Sequence, residues 1–127
     1  MSSCVPSSIL EVSRLEIDGA TDDRLSVAYT AIYRLCLQPN VISDAGEKPR
    51  YSTFSLWDTF RAAHPLYTLL FPEMVEPFVD SILEHARRDG WLPLWEIWGR
   101  EGFDMIGNHS VPVLLDAYRK GFRFDAK

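Results

Sequence analysis

The chain is short of cysteine, of excess positive charge and of long apolar runs. Two cysteines, Cys4 and Cys36, are too few for a disulfide framework or a thiolate metal cage. Thirteen Lys and Arg against eighteen Asp and Glu leave a net charge of −5, which lacks the basic footprint of a nucleic-acid surface. No apolar run approaches the roughly 20 residues that cross a bilayer. The longest, Leu66 to Phe71, is bounded by Pro65 and Pro72. Met1 to Ser8 has no basic flank followed by an apolar stretch and does not read as a signal peptide. The compartment stays open. Familiar catalytic signatures are missing too: no GxSxG, HExxH, CxxC or glycine-rich phosphate loop occurs. His64, His85 and His109 lack metal-ligand spacing, and no run of oxygen ligands suggests a calcium loop.

What is present suits one globular domain: 127 residues, 46% apolar and 24% charged, with a generous seven Phe, five Tyr and four Trp. From Leu10 to Ile17 apolar and polar residues alternate, the period of a half-buried strand, and Asp18-Gly19 stops it. Thr21 offers an N-cap, with Asp22 and Asp23 in the first turn where backbone N–H groups favour negative charge. Leu25, Ala28, Ile32 and Leu35 give that helix an apolar face, in which Cys36 reads as a small buried side chain; Pro39-Asn40 ends it. Ser43 to Tyr51 reads as an exposed loop.

Phe54 to Leu70 has helical spacing with Pro65 inside it, so the helix must kink or restart there. Glu73 to Arg88 is the cleanest helix, opened near Pro72 and closed by Asp89-Gly90, with Val75, Phe78, Val79, Ile82, Leu83 and Ala86 as its stripe. His85, beside Glu84, Arg87 and Arg88, reads as a solvated surface residue. Trp91 to Met105 is not periodic and reads as a long connection. Val111 to Lys120 is a last helix, with Pro112 in its first turn and Gly121 as its stop. The expected architecture is mainly α: one short N-terminal strand, then helices joined in pairs. Pattern alone leaves open a small bundle or neighbouring hairpins of a larger toroid.

Two clusters stand out. In the first, Trp57, Arg61 and His64 share one helix face at i, i+4 and i+7 beside Asp58. Spacing by itself favours a packed Trp with an Asp58–Arg61 surface pair, because aromatic stripes usually mean core. The second, Trp91 to Ser110, mixes Trp91, Trp95 and Trp98 with Glu96, Glu101, Asp104 and His109. An indole face can stack on a sugar ring while acids bind its hydroxyls; the bland alternative is a capping loop whose tryptophans plug helix ends. Asn108-His109-Ser110 fits the N-glycosylation pattern but abuts a helix start, where any of the three can serve as a cap instead.

These clusters carry a resemblance. Tyr51 to Ala62, reading YSTFSLWDTFRA, resembles the FSLWDT segment of family 92 glycoside hydrolases, and His64-Pro65-Leu66 continues it in register. Gly90 to Trp95 and Met105 to Val113 are similar to two further family segments, and Asp116 to Gly121 to the helix that follows. Ala28 to Tyr33 and Pro39-Asn40 resemble the first helix of the family's barrel, so the likeness runs from about Ile9 to the C-terminus.

The resemblance implies that residues 1–127 are a fragment of a catalytic (α/α)6 toroid of helical hairpins, with strand and linker at about 9–19 and hairpins at about 21–121. A β-sandwich domain is expected to precede it. It implies a calcium-dependent, inverting exo-α-mannosidase acting on α-mannosides or N-glycan-type carbohydrate, with no nucleic-acid or membrane partner. Family members are often secreted or periplasmic. Inversion requires a carboxylic acid and a carboxylate roughly 6.5–9.5 Å apart, and in the family these lie in motifs beyond the counterpart of Lys127. This chain is therefore expected to keep part of the sugar-binding wall without the catalytic pair: Trp57 as a stacking residue, Asp58 as acceptor for mannose hydroxyls, Glu101 and His109 in the same pocket. A non-catalytic helical interaction or structural domain derived from the family is the rival, and a third possibility has other chains supply the missing hairpins. One departure concerns the loop: where members commonly read Gly-Asn-Glu-Thr, this chain has Gly99-Arg100-Glu101-Gly102. The stretch after Asn40 likewise reads as an abridged family segment.

Overall fold

Apolar residues at three- and four-residue steps, flanked by acids, form helix α1 (Asp22–Leu35) in the computed structural model, which describes Val12 and residues 14–125. Of its expected face, Ile32 is buried and Leu25, Ala28 and Leu35 are half-buried. Thr21 takes the extended N-cap conformation, but its side chain makes no cap bond; Cys36 is half-buried rather than enclosed. The expected N-terminal strand is not borne out where it can be seen. Val12 is helical and residues 15–18 are irregular, while 9–11 and 13 lie outside the described residues, as does Cys4. An alternating pattern becomes a strand only beside another strand that takes up its backbone groups. Here the Leu15 carbonyl accepts instead from the Tyr29 hydroxyl at 2.9 Å. This segment and α1 belong to one compact unit, Met1–Gln38; Pro39–Lys127 form a second.

The second unit opens with β1 (Asn40–Val41) and β2 (Tyr51–Ser52), paired antiparallel as Asn40↔Ser52 and Val41↔Tyr51, so the expected Ser43 to Tyr51 loop joins two strands. Phe54 to Leu70 is not one kinked helix. It splits into β3 (Phe54–Ser55), a four-residue α2 (Leu56–Thr59) and α3 (Ala63–Leu70), with the break at 60–62. Pro65 is the reason: in the first turn of a new helix its missing N–H costs nothing, whereas in mid-helix it would clash with the turn before. Helix α4 (Pro72–Asp89) starts on a proline and stops at Gly90, whose φ of 87° is the left-handed cap a glycine supplies freely. The last helix, α5 (Ser110–Arg119), begins at the expected place and packs with α3 on α4. About half the described chain is helical.

The largest departure is in the expected connection. Trp91 to Met105 contains β4 (Trp95–Ile97) and β5 (Arg100–Glu101), and with β3 they make a three-stranded antiparallel sheet in the order β3-β4-β5. Register pairs Phe54↔Glu96, Ser55↔Trp95 and Glu96↔Glu101. The β4–β5 turn runs through Trp98 and Gly99, both at positive φ, the conformation that two-residue hairpin turns demand.

The core of this unit is aromatic. Phe78 on α4 meets Tyr51 at 4.8 Å, Tyr67 at 5.3 Å, Phe54 at 6.0 Å and His64 at 6.3 Å, all edge-to-face. That is the favoured geometry for ring quadrupoles. On α5, by contrast, Val111, Leu115 and Tyr118 lie exposed along one stripe while Val113 and Ala117 are buried.

Candidate functional site: a Trp–His contact and a buried carboxyl

The break after α2 decides where Trp57 points. With Phe60 to Ala62 non-helical, Trp57, Arg61 and His64 do not continue one helix face. His64 goes into the core, between Phe54 and Phe78, and burial drives its pKa down to about 4 against the pull of Asp116. Trp57 stays half-buried and meets the His109 ring edge-on at 4.9 Å; Phe60 is tilted against the same ring at 4.4 Å. Arg61 lies over the rings of Trp57 and Phe60, at 5.9 and 5.0 Å from their centroids. The alternative Asp58–Arg61 pair is absent: exposed Asp58 accepts a short hydrogen bond from the Ser55 hydroxyl.

His109 stands at the N-cap of α5, and none of Asn108, His109 or Ser110 caps the helix through its side chain. Ser110 is buried and donates to the Pro93 carbonyl. Gly107 lets the histidine ring lie back along the chain. Its φ is 81°, and a Cβ there would fall 2.6 Å from the His109 Cε1. Trp57 and His109 thus meet from segments about fifty residues apart, while Asp58, the next residue after Trp57, turns one oxygen to Ser55.

Glu101 does something else. Its carboxylate accepts from three backbone N–H groups: Leu94 at 2.6 Å, Trp95 at 3.0 Å and Phe103 at 3.0 Å. Burial alone would raise its pKa; the three donors, stabilising the charged form, outweigh burial and hold it below the usual carboxylate range. Glu101 is the clasp of this loop, and through Trp95 it reaches the wall, because the Trp95 indole donates to Ser55 Oγ at 2.7 Å. The neighbouring glycine fits that role. A Cβ on Gly102 would meet Asp104 Oδ2 at 2.7 Å and the Trp95 carbonyl at 3.2 Å, so the family's usual threonine would crowd the clasp here. Glu101→Gln replaces one acceptor oxygen by a donor facing N–H groups. We expect it to cost about 1–3 kcal/mol of stability, read by chemical denaturation. An unchanged midpoint would mean the loop is held by other contacts.

A second cluster escaped the sequence reading. His85 is not a surface residue: it is 2% exposed, facing Glu96, itself 3% exposed, across 4.0 Å. Ser52 Oγ donates to Glu96 Oε1 at 3.3 Å and accepts from the Gly99 N–H at 2.8 Å. Arg88 reaches the Gly99 carbonyl at 2.5 Å and His85 Nδ1 at 3.3 Å, while Asp89 Oδ2 lies 3.3 Å from His85 Nε2. Burial raises the Glu96 pKa to about 7 in spite of the Ser52 hydroxyl and the Arg88 and Arg50 charges. Burial also lowers that of His85, against Asp89. One signal for His85 was available: it continues the Val75, Phe78, Ile82 stripe at a three-residue step. Ser55 had a signal as well, since Ser55-x-x-Asp58 has the spacing of a capping box.

Among the described residues no group of three or more His, Cys, Asp or Glu is placed to hold a metal ion. No described helix is long and apolar enough to cross a membrane.

Residues 10–127 match the glycosyl hydrolase family 92 catalytic domain. The chain belongs to this family. It is similar to a family GH92 α-mannosidase of Bacteroides thetaiotaomicron at 30% identity and a TM-score of 0.85, over 93% of this chain and 18% of that one. The same enzyme is also known in complex with mannoimidazole. A family GH92 inverting mannosidase of Bacteroides thetaiotaomicron VPI-5482 is 34% identical with a TM-score of 0.83, over 91% of this chain and 18% of that one. The chain therefore spans about a fifth of the length of the solved relatives it matches. No curated protein matches it.

Proposed function

We propose that this chain supplies part of the mannoside-binding wall of an inverting exo-α-mannosidase, without the acid and base that break the glycosidic bond. Family membership and the likeness to mannosidases support the substrate class. The observation that carries the reading is the contact of half-buried Trp57 with His109, next to exposed Asp58 on the same short helix. It combines an indole face with a carboxylate that has only one hydrogen-bond partner among the described residues. That is what a sugar's apolar face and hydroxyls require.

The carboxyls near the wall argue against catalysis by this segment. A general acid must hold its proton near neutral pH and reach the leaving oxygen. Glu101 is held in its charged form by three N–H groups, and Glu96, whose pKa suits an acid, is buried against His85. The exposed Val111, Leu115 and Tyr118 stripe of α5 fits a position inside an (α/α)6 toroid, where a neighbouring hairpin would cover it. For the calcium that the family reading implies, the described residues hold no cluster of three or more His, Cys, Asp or Glu side chains placed as ligands.

Mannose titration into the chain and its Asp58→Ala variant tests the reading. Asp58→Ala should weaken binding by about 1–3 kcal/mol, the cost of unpaired sugar hydroxyls, with a smaller change in folding stability. Intact binding with a lowered melting point would instead make Asp58 a structural partner of Ser55.

A further inference from the structure

We propose that Ser55 and Trp95 are positioning residues that fix the orientation in which Asp58 meets a sugar hydroxyl, an inference that rests on the wall reading above. The chemistry of the three groups sets the direction of the relay. An indole N–H can only donate, so at 2.7 Å the Ser55 oxygen must accept from Trp95. The single hydroxyl proton of Ser55 is then directed away from the indole, and its partner is Asp58 Oδ2. One Asp58 oxygen is thereby occupied on the protein side. The remaining acceptor capacity of exposed Asp58 is left for a ligand, and a hydroxyl that binds there must donate.

The relay is anchored at both ends. Ser55 and Trp95 are direct partners in the β3–β4 register, and the Ser55 carbonyl also accepts from Thr59 at 3.0 Å, tying β3 to α2. The Trp95 backbone N–H is held by Glu101 at 3.0 Å. A carboxylate on a four-residue helix with no side-chain cap is thereby fixed by the sheet beside it. The clasp, the indole, the hydroxyl and the carboxylate form one line from Glu101 to Asp58.

The experiment uses the whole chain with mannose as probe, in Ser55→Ala, Ser55→Thr and Trp95→Phe forms. Ser55→Ala should weaken mannose binding roughly tenfold, the loss of one charge-assisted hydrogen bond's worth of orientation. Ser55→Thr, which keeps the hydroxyl, should restore it. Without sugar, the Trp95 indole N–H resonance should move in Asp58→Asn, because the Ser55 hydroxyl bridges the two. If Trp95→Phe does not fold, the serine pair and the indole resonance still decide. Mannose binding by wild type with equal binding by Ser55→Ala, or an indole resonance indifferent to Asp58→Asn, overturns the relay alone. No mannose binding by wild type overturns the wall reading and the relay together.

Discussion

Phe78→Ala should destabilise the Pro39–Lys127 unit by about 3–5 kcal/mol, the range for removing a buried aromatic ring. Phe78 is 3% exposed and stands edge-on to four rings at once, Tyr51, Phe54, His64 and Tyr67. Those partners come from β2, β3 and α3, so the vacancy cannot collapse around one element without moving the others. Set against a typical domain stability of roughly 5–15 kcal/mol, the loss is about a fifth of the total or more. Chemical denaturation of the variant, with Phe78→Leu as a milder control, measures it. A cost under about 1 kcal/mol would mean the rings repack freely, which a core of this density does not allow.

The second large effect is on pH dependence. Glu96 holds its proton up to about pH 7 in the folded chain, against 4.5 as its ordinary value. Between those values the unfolded chain has released the proton and the folded chain has not, so rising pH removes stability, on the order of 3 kcal/mol in full. His64 works the other way. Its pKa of about 4, against 6.5, means the unfolded chain takes up a proton first, and stability is lost as pH falls through that interval. Lowered His85 adds to the same acid-side loss. The opposing slopes overlap between pH 4.5 and 6.5, and the wild-type curve should be shallow there. Glu96→Gln removes one of them. The variant should match wild type near pH 4.5 and exceed it by up to about 3 kcal/mol near pH 8, with a steeper acid limb. A variant less stable than wild type at pH 8 would show that ionised Glu96, with Ser52, Arg88, Arg50 and His85 around it, stabilises the fold.

The long helices were legible because each carried both a stripe and its punctuation. In α4, Pro72 and Gly90 bracket Val75, Phe78 and Ile82, and local physics suffices to place both ends. The β3-β4-β5 sheet was not legible, since its strands run two or three residues, too short to establish a period. Its register also depends on Ser55 meeting Trp95 forty residues away, which no local window contains. The expected N-terminal strand is not borne out for the converse reason: its alternation slips at Ser13-Arg14, and no partner strand lies beside it among the described residues. His85 was misjudged from its charged sequence neighbours, although its position relative to Ile82 and Phe78 turns it inward. At the wall, the family resemblance pointed to Trp57, Asp58 and His109; the structure adds the hydroxyl of Ser55 and shows the His109 ring against Trp57. The role of Glu101 as a backbone clasp depends on three N–H groups converging on one carboxylate, a feature of loop conformation invisible in residue spacing.

A proton–nitrogen correlation spectrum of the chain titrated with mannose tests the wall most directly. The account predicts saturable shifts at the indoles of Trp57 and Trp95 and the backbone of Asp58 and His109, with α1 and the His85–Glu96 cluster unmoved. No saturable shift, or shifts centred on α1 or on the buried cluster, would contradict it.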